Sequence, residues 1–370
     1  MITVSPFLRA SQKIVYQQIK RRMSDLKLSF TQISPKPDPV HGKPCSRSSH
    51  GLSVLDNGSL LVLYGGENVA RTPLGDQQSL WFALKEDGSD SDWQWQCVLP
   101  ADTKPPVRVA HAQAAVDHSV YVFGGRAGIT MKEMAMNDLY QLDTTTRQWK
   151  LIETKGTPPT ARSFHRMISI GDNLYVFGGC GEEGRLADLH KLDLTTLTWS
   201  NLGASSLLRG RGGPNLLKLQ NDQKLAVVAG FAGEETNDGH AFCLQSNSWD
   251  PKLMEGLADM RPRSVNVAAS SSKACIIFGG EVDPSQKGHE GAGGFTNDIV
   301  VLDSTTGDHL ESIPAPSDGS SWPEVRGWSD GSLVEQNDGS ASLFIFGGLS
   351  GDDSDPVRLD DLWRLDISSS

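Results

Sequence analysis

LLVLYGG (60–66), VYVFGG (120–125), LYVFGG (174–179), ACIIFGG (274–280) and LFIFGG (343–348) are five variants of one phrase, an apolar run ending in two glycines. A weaker sixth copy, LAVVAGFAG, spans 225–233. A short continuous apolar run bounded by glycines reads as a strand buried on both faces. Its recurrence every few tens of residues marks a repeat architecture. Working outward, an arginine precedes every copy: Arg47, Arg108, Arg162, Arg211, Arg263 and Arg326. The step to the first glycine is the same for Arg108 to Gly124, Arg162 to Gly178 and Arg263 to Gly279. After the glycines come a loop and a second apolar segment: NDLYQLD (137–143), ADLHKLD (187–193), NDIVVLD (297–303) and LDDLWRLD (359–366). A polar turn follows, then Trp149, Trp199 or Trp249.

Each unit therefore predicts four short antiparallel strands. The arginine leads into the first, the glycine pair ends the second, and the tryptophan packs the fourth against a neighbouring sheet. One such sheet cannot bury its own faces, whereas six set radially can. The last copy runs out at Ile367 before a fourth strand, and LKLSFTQIS (26–34) reads as a strand ahead of the first arginine. The expectation is an all-β, six-bladed propeller over 26–370 whose N-terminal strand closes the last blade. Residues 1–25 form a separate basic extension.

Composition narrows the function. Net charge is −11 and the isoelectric point is near 5.3, against a nucleic-acid groove or an anionic membrane surface. No apolar run reaches the ~18 residues of a membrane span. The cysteines, Cys45, Cys97, Cys180, Cys243 and Cys275, are scattered, odd in number and without a C-x-x-C pair. That pattern fits a reducing, cytoplasmic compartment better than a disulfide framework. Residues 1–24 hold Arg9, Lys13, Lys20, Arg21 and Arg22 and no acid, so a mitochondrial transit segment is the alternative destination, and Met23 an alternative start.

Repetition separates scaffold from site. His50, His111 and His165 each stand three residues after a repeat arginine and read as packing residues. The residue after the glycine pair varies instead: Glu67, Arg126, Cys180, Glu281 and Leu349. Slots related by propeller symmetry should ring the axis, so Glu67, Arg126 and Glu281 are candidates for a polar site or a salt-bridge network. The fifth copy also carries a long loop, EVDPSQKGHEGAGGFT (281–296), with Glu281, Asp283, His289 and Glu290. Oxygen donors plus an imidazole suit Fe(II), Mn(II) or Zn(II).

The recurrent features resemble the kelch repeat across roughly 27–370. Within it, three segments resemble the plant specifier proteins, the nitrile-specifier, epithiospecifier and thiocyanate-forming kelch proteins. The family's iron motif, Glu-x-x-x-Asp-x-x-x-His, is met by Glu281 and His289, with Ser285 at the middle position and Asp283 nearby. VRGWSDGSL (325–333) is similar to its pocket Arg-Gly-Trp-Ser segment, and FGGR (123–126) to the segment with its pocket arginine. The resemblance implies a small-molecule site on the loop face. Arg126 and Trp328 would act on the substrate, with Glu67 and Arg185 beside them, and Glu281, Asp283 and His289 would hold Fe(II). If the chain is an enzyme, the implied reaction is lyase-type fragmentation of a thiohydroximate sulfate, the aglycone that myrosinase releases from glucosinolates, to a nitrile. A non-enzymatic kelch scaffold for protein partners is the other reading. The partner expected is then a small molecule or a protein, a homodimer included, and neither nucleic acid nor membrane.

Overall fold

The computed structural model describes residues 26–86, 92–99, 103–127 and 134–369, except the side chain of His289. The basic extension lies outside them. Six four-stranded antiparallel blades account for nearly all of the chain described, and blade three carries one further edge strand, Lys155–Gly156. Blade one runs Gly51–Leu55, Leu60–Tyr64, Leu80–Lys85 and Trp93–Cys97 from the axis outward. Blades two to five repeat that order, beginning at Ala112–Val116, Arg166–Ile170, Asn215–Leu219 and Val267–Ser270. Blade six is built from Asp330–Glu335, Ala341–Asp352, Asp355–Ser369 and, outermost, Leu26–Ile33. The N-terminal strand pairs antiparallel with the C-terminal one from Leu26 opposite Ser369 to Ile33 opposite Leu362, which closes the propeller as the sequence predicts.

The apolar phrase is the second strand of each blade, and its residues are almost wholly buried, as in Leu61, Val62 and Leu63 or Ile276 and Ile277. The aromatic before the glycine pair packs against an outer-strand aromatic of the next blade. Tyr64 meets Trp149 at 5.0 Å, Phe123 meets Trp199 at 5.3 Å and Phe177 meets Trp249 at 6.0 Å. Phe278 meets Phe30 at 5.2 Å and Phe346 meets Trp95 at 5.7 Å. The seam between blades four and five is aliphatic instead, filled by Val228, Leu257, Met260 and Ile277. His50, His111 and His165 are buried edge-on against Phe346, Tyr64 and Phe123, and burial holds all three below the usual histidine range.

The glycine pairs sit where chains crowd. Gly178 and Gly179 have φ of 65° and 95°, and a Cβ on Gly179 would come within 2.6 Å of the Ser163 carbonyl oxygen. Blade four has Ala229 at φ 60° in the first of these places, the reason its copy reads weakly.

The repeat arginines are fully buried clamps. In all six blades Nε donates to the carbonyl two residues earlier and Nη1 to the carbonyl at the start of the glycine turn. In five blades the guanidinium also grips, with two bonds, an aspartate in the third strand or, for Asp138, just before it: Asp138, Asp188, Asp238, Asp298 and Asp361.

Candidate functional site on the loop face

The residue two places after each arginine lies in the left-handed region: Ser49, Ala110, Phe164, Gly213, Val265 and Trp328 have φ between 46° and 57°. This bend turns each N–H toward the preceding blade. Ser49 donates to Trp328, Ala110 to Ser49, Phe164 to Ala110, Gly213 to Phe164, Val265 to Gly213 and Trp328 to Val265, at 2.8–3.1 Å. The six bonds form a closed ring about the axis. Phe164 and Trp328, from opposite blades three and six, meet edge-on at 5.3 Å. The same two blades are joined again by Arg166 and Asp330, an ion pair of 3.0 Å. Beyond it a polar channel of about 300 Å³ opens between the innermost strands. Trp328 thus belongs to the partition between the two faces of the disc.

The slots after the glycine pairs are equivalent, as symmetry demands. Glu67, Arg126, Cys180, Phe231, Glu281 and Leu349 each form a bridge to the residue after the repeat arginine, from Ser48 round to Gly327. Blade four's Phe231 is an addition to the sequence reading, obscured by the altered glycine pair. These side chains divide by charge. On one side, Arg126 is buried with its guanidinium 4.8 Å over the Phe164 ring, and burial draws it below the ordinary arginine value while Glu67 resists. Glu67 accepts the Arg71 N–H at 2.5 Å, and Arg358 lies 3.5 Å away. Burial pushes Glu67 above the usual carboxylate range, with Arg358 opposing. Arg185 is exposed and stacks over Phe231 at 4.5 Å.

The other side is acidic. Glu281 is buried and accepts the Ser285 N–H at 3.3 Å, and burial pushes it up to about 7. Glu235, at the start of Glu235–Cys243 in blade four, accepts the Ser264 hydroxyl at 3.1 Å through one oxygen; the other is buried with no hydrogen-bond partner among the described residues. Burial, then the charge of Glu281, pushes Glu235 up to about 8. The sequence reading missed Glu235 because it lies outside every motif. Both groups bind a proton more tightly folded than unfolded, so their contribution is full below about pH 4.5 and is lost as pH rises through 7 to 8. Glu235→Gln is therefore expected to raise the melting temperature at pH 8.5 and to leave it nearly unchanged at pH 4.5. Equal shifts at both pH values in thermal melts would refute the buried-proton assignment.

The long loop leans on Glu281 through that Ser285 N–H and engages other partners with its side chains. Asp283 is exposed and bonds Arg261 at 3.0 Å. Ser285 donates its hydroxyl to Asp353 of blade six, and the Gln286 N–H bonds the same carboxylate at 3.0 Å. Lys287 reaches the Asp353 carbonyl, and Glu290 extends to 3.8 Å from Arg71 of blade one. His289 lies in a single turn, Gly288–Glu290, and its side chain is outside those described. Among the described residues no three His, Cys, Asp or Glu side chains are grouped to hold a metal. The described members of the expected iron set are thus engaged separately, Glu281 with the Ser285 N–H, Asp283 with Arg261, and Ser285 at the middle position with Asp353.

The fold and the repeated arginine clamp define a kelch-type β-propeller. Residues 90–280 match the family model described as the KLHDC2/KLHL20/DRC7 Kelch-repeats domain, and the chain belongs to the kelch-repeat family. It is 27% identical over 353 residues to the N-(sulfonatooxy)prop-2-enimidothioate sulfolyase of Thlaspi arvense, covering 88% of this chain and 94% of that protein. It is 33% identical over 259 residues to Adagio protein 3 of Arabidopsis thaliana, covering 64% of this chain but 39% of that protein. A solved structure of YjhT superposes with a TM-score of 0.63 at 16% identity, over 88% of this chain and 98% of that one, a likeness of fold alone.

Proposed function

We propose that the loop face binds a small sulfated molecule and that the chain fragments a sulfated thiohydroximate, as the name of its Thlaspi relative describes. The observation that carries this reading is Arg126. It is a buried guanidinium laid over Phe164, whose ring in turn meets the axial Trp328, in a chain similar to that sulfolyase over nearly the full length of both. A guanidinium offers a planar pair of donors suited to a sulfate, and an aromatic ring beneath it fixes its plane. Arg126 would hold the sulfate as negative charge collects on it during N–O cleavage, which is electrostatic stabilisation of a leaving group. Glu67 would balance the positive charge of this side, with Arg358 at 3.5 Å, and Arg185 would supply a second, exposed cation at the rim. Direction toward a nitrile is part of the proposal.

The test is product analysis. The full chain is mixed with myrosinase and allyl glucosinolate, with and without added Fe(II), and nitrile is measured against isothiocyanate by gas chromatography. Nitrile above the myrosinase-only level is the expected result. Arg126→Ala should lower that yield at least about tenfold, while Arg126→Lys, which keeps charge without the fork, recovers only part. Isothiocyanate alone in every arm overturns the reading. That result would favour the second one, a protein-binding scaffold, which rests on the kelch-repeat match and on the similarity to Adagio protein 3.

A further inference from the structure

Blade one breaks the arginine clamp. Where the other five blades place an aspartate to receive the guanidinium, blade one has Ser79, in QSLW rather than NDLY or DDLW. The backbone confirms the equivalence: Gly65 donates to the Ser79 carbonyl as Gly124 does to Asp138 and Gly178 to Asp188. Arg47 is nonetheless fully buried. Its Nε and Nη1 bond the Cys45 and Gly65 carbonyls, and Nη2 points at the Cys45 sulfur, 3.7 Å away. Among the described residues no carboxylate pairs with it. A buried guanidinium without a counter-anion is costly, and the structure supplies a sulfur in place of one. Burial draws Arg47 down to about 10, and the facing Cys45 is the largest influence in the opposite direction.

We propose that Cys45 is a modification site, a cysteine that hydroperoxides oxidise selectively because Arg47 lacks the aspartate present in every other blade. Cys45 is partly exposed, so an oxidant reaches it from outside while the cation stands behind it. A cation beside a partly exposed sulfur is the setting of reactive cysteines. In the step, the Cys45 thiolate attacks the terminal peroxide oxygen. An S–O bond forms and the O–O bond breaks. The sulfur gives up two electrons to become a sulfenate, and the peroxide, taking the proton, leaves as water or an alcohol. A second equivalent of hydroperoxide would give the sulfinate. Either product puts an anionic oxygen against the guanidinium, where the other blades have a carboxylate.

The site can be closed by restoring the repeat. The full-length protein is treated with hydrogen peroxide, trapped with dimedone, and digested for mass spectrometry of each cysteine peptide. Cys45 is expected to be labelled at least about tenfold faster than Cys97, Cys180 or Cys243. Ser79→Asp, which returns the missing carboxylate, should bring Cys45 down to the level of those three. Labelling of Cys45 no faster than of Cys243, or unaffected by Ser79→Asp, overturns the proposal. Should Ser79→Asp fail to fold, Cys45→Asp and Cys45→Ser decide the matter by thermal melts. The aspartate variant is expected to melt higher because it pairs with Arg47, and equal melting temperatures would count against an anion-seeking guanidinium.

Discussion

Phe30→Ala is expected to destabilise the protein by about 3–5 kcal/mol, the range for emptying a large aromatic from a close-packed core. Phe30 comes from the strand that closes the ring and is 7% exposed. It touches Phe278 of blade five at 5.2 Å, Trp322 at 4.8 Å and Trp363 at 6.1 Å, all edge-on. It occupies the position that Trp149, Trp199 and Trp249 hold in blades two to four. Its loss therefore weakens two things together, the seam between blades five and six and the grip of Leu26–Ile33 on the C-terminal strand. The effect should exceed that of Leu28→Ala, a residue of the same strand that is only partly buried. Urea unfolding followed by tryptophan fluorescence measures both. Similar losses for the two variants would mean that Leu26–Ile33 contributes backbone pairing alone.

That Phe30 fills a tryptophan's place was not legible from the chain, although the closing strand itself was. The strand announces itself by its apolar pattern and by the blade that lacks an outer member. Which residue packs a seam depends on partners some 250 positions away, Phe278 among them, and no local pattern encodes that. The same divide runs through the site. The slots after the glycine pairs could be placed around the axis from symmetry, and Glu67, Arg126 and Glu281 do stand in equivalent bridges. Their surroundings could not. Glu235 approaches Glu281 only because blades four and five are neighbours, and it lies in the one blade whose glycine pair is altered. Ser285 meets Asp353 across 68 residues, between two loops whose lengths bear no relation to the repeat. The role of Trp328 on the axis follows from a left-handed backbone at a bulky residue, which strains the chain unless the surrounding structure enforces it. Here the ring of six hydrogen bonds is what enforces it.

The second large effect is expected at the arginine clamp. Asp298→Ala should cost about 3–5 kcal/mol, because it leaves Arg263 buried and charged without its carboxylate. Both bonds of that pair are 2.9 Å, and Arg263 has no solvent exposure. Blade five is a demanding place for the test, since the residue two before Arg263 is Arg261, which cannot supply a substitute anion. Two controls distinguish a stranded charge from lost packing. Removing both partners, as Arg263→Met with Asp298→Ala, should recover part of the loss because the uncompensated charge goes with them. The pH dependence gives the other. Burial alone would raise Asp298, but the bonds from Arg263 outweigh it and hold the carboxyl below its ordinary 3.8. A depressed folded value means that the pair stabilises above pH 3.8 and that the contribution fades as pH falls through the folded value. The gap between wild type and Asp298→Ala should therefore be full at pH 7 and shrink below about pH 4, as measured by urea unfolding across that range. A gap that stays constant down to pH 2, or a double variant no more stable than Asp298→Ala, would show that the aspartate is held for its shape rather than for its charge.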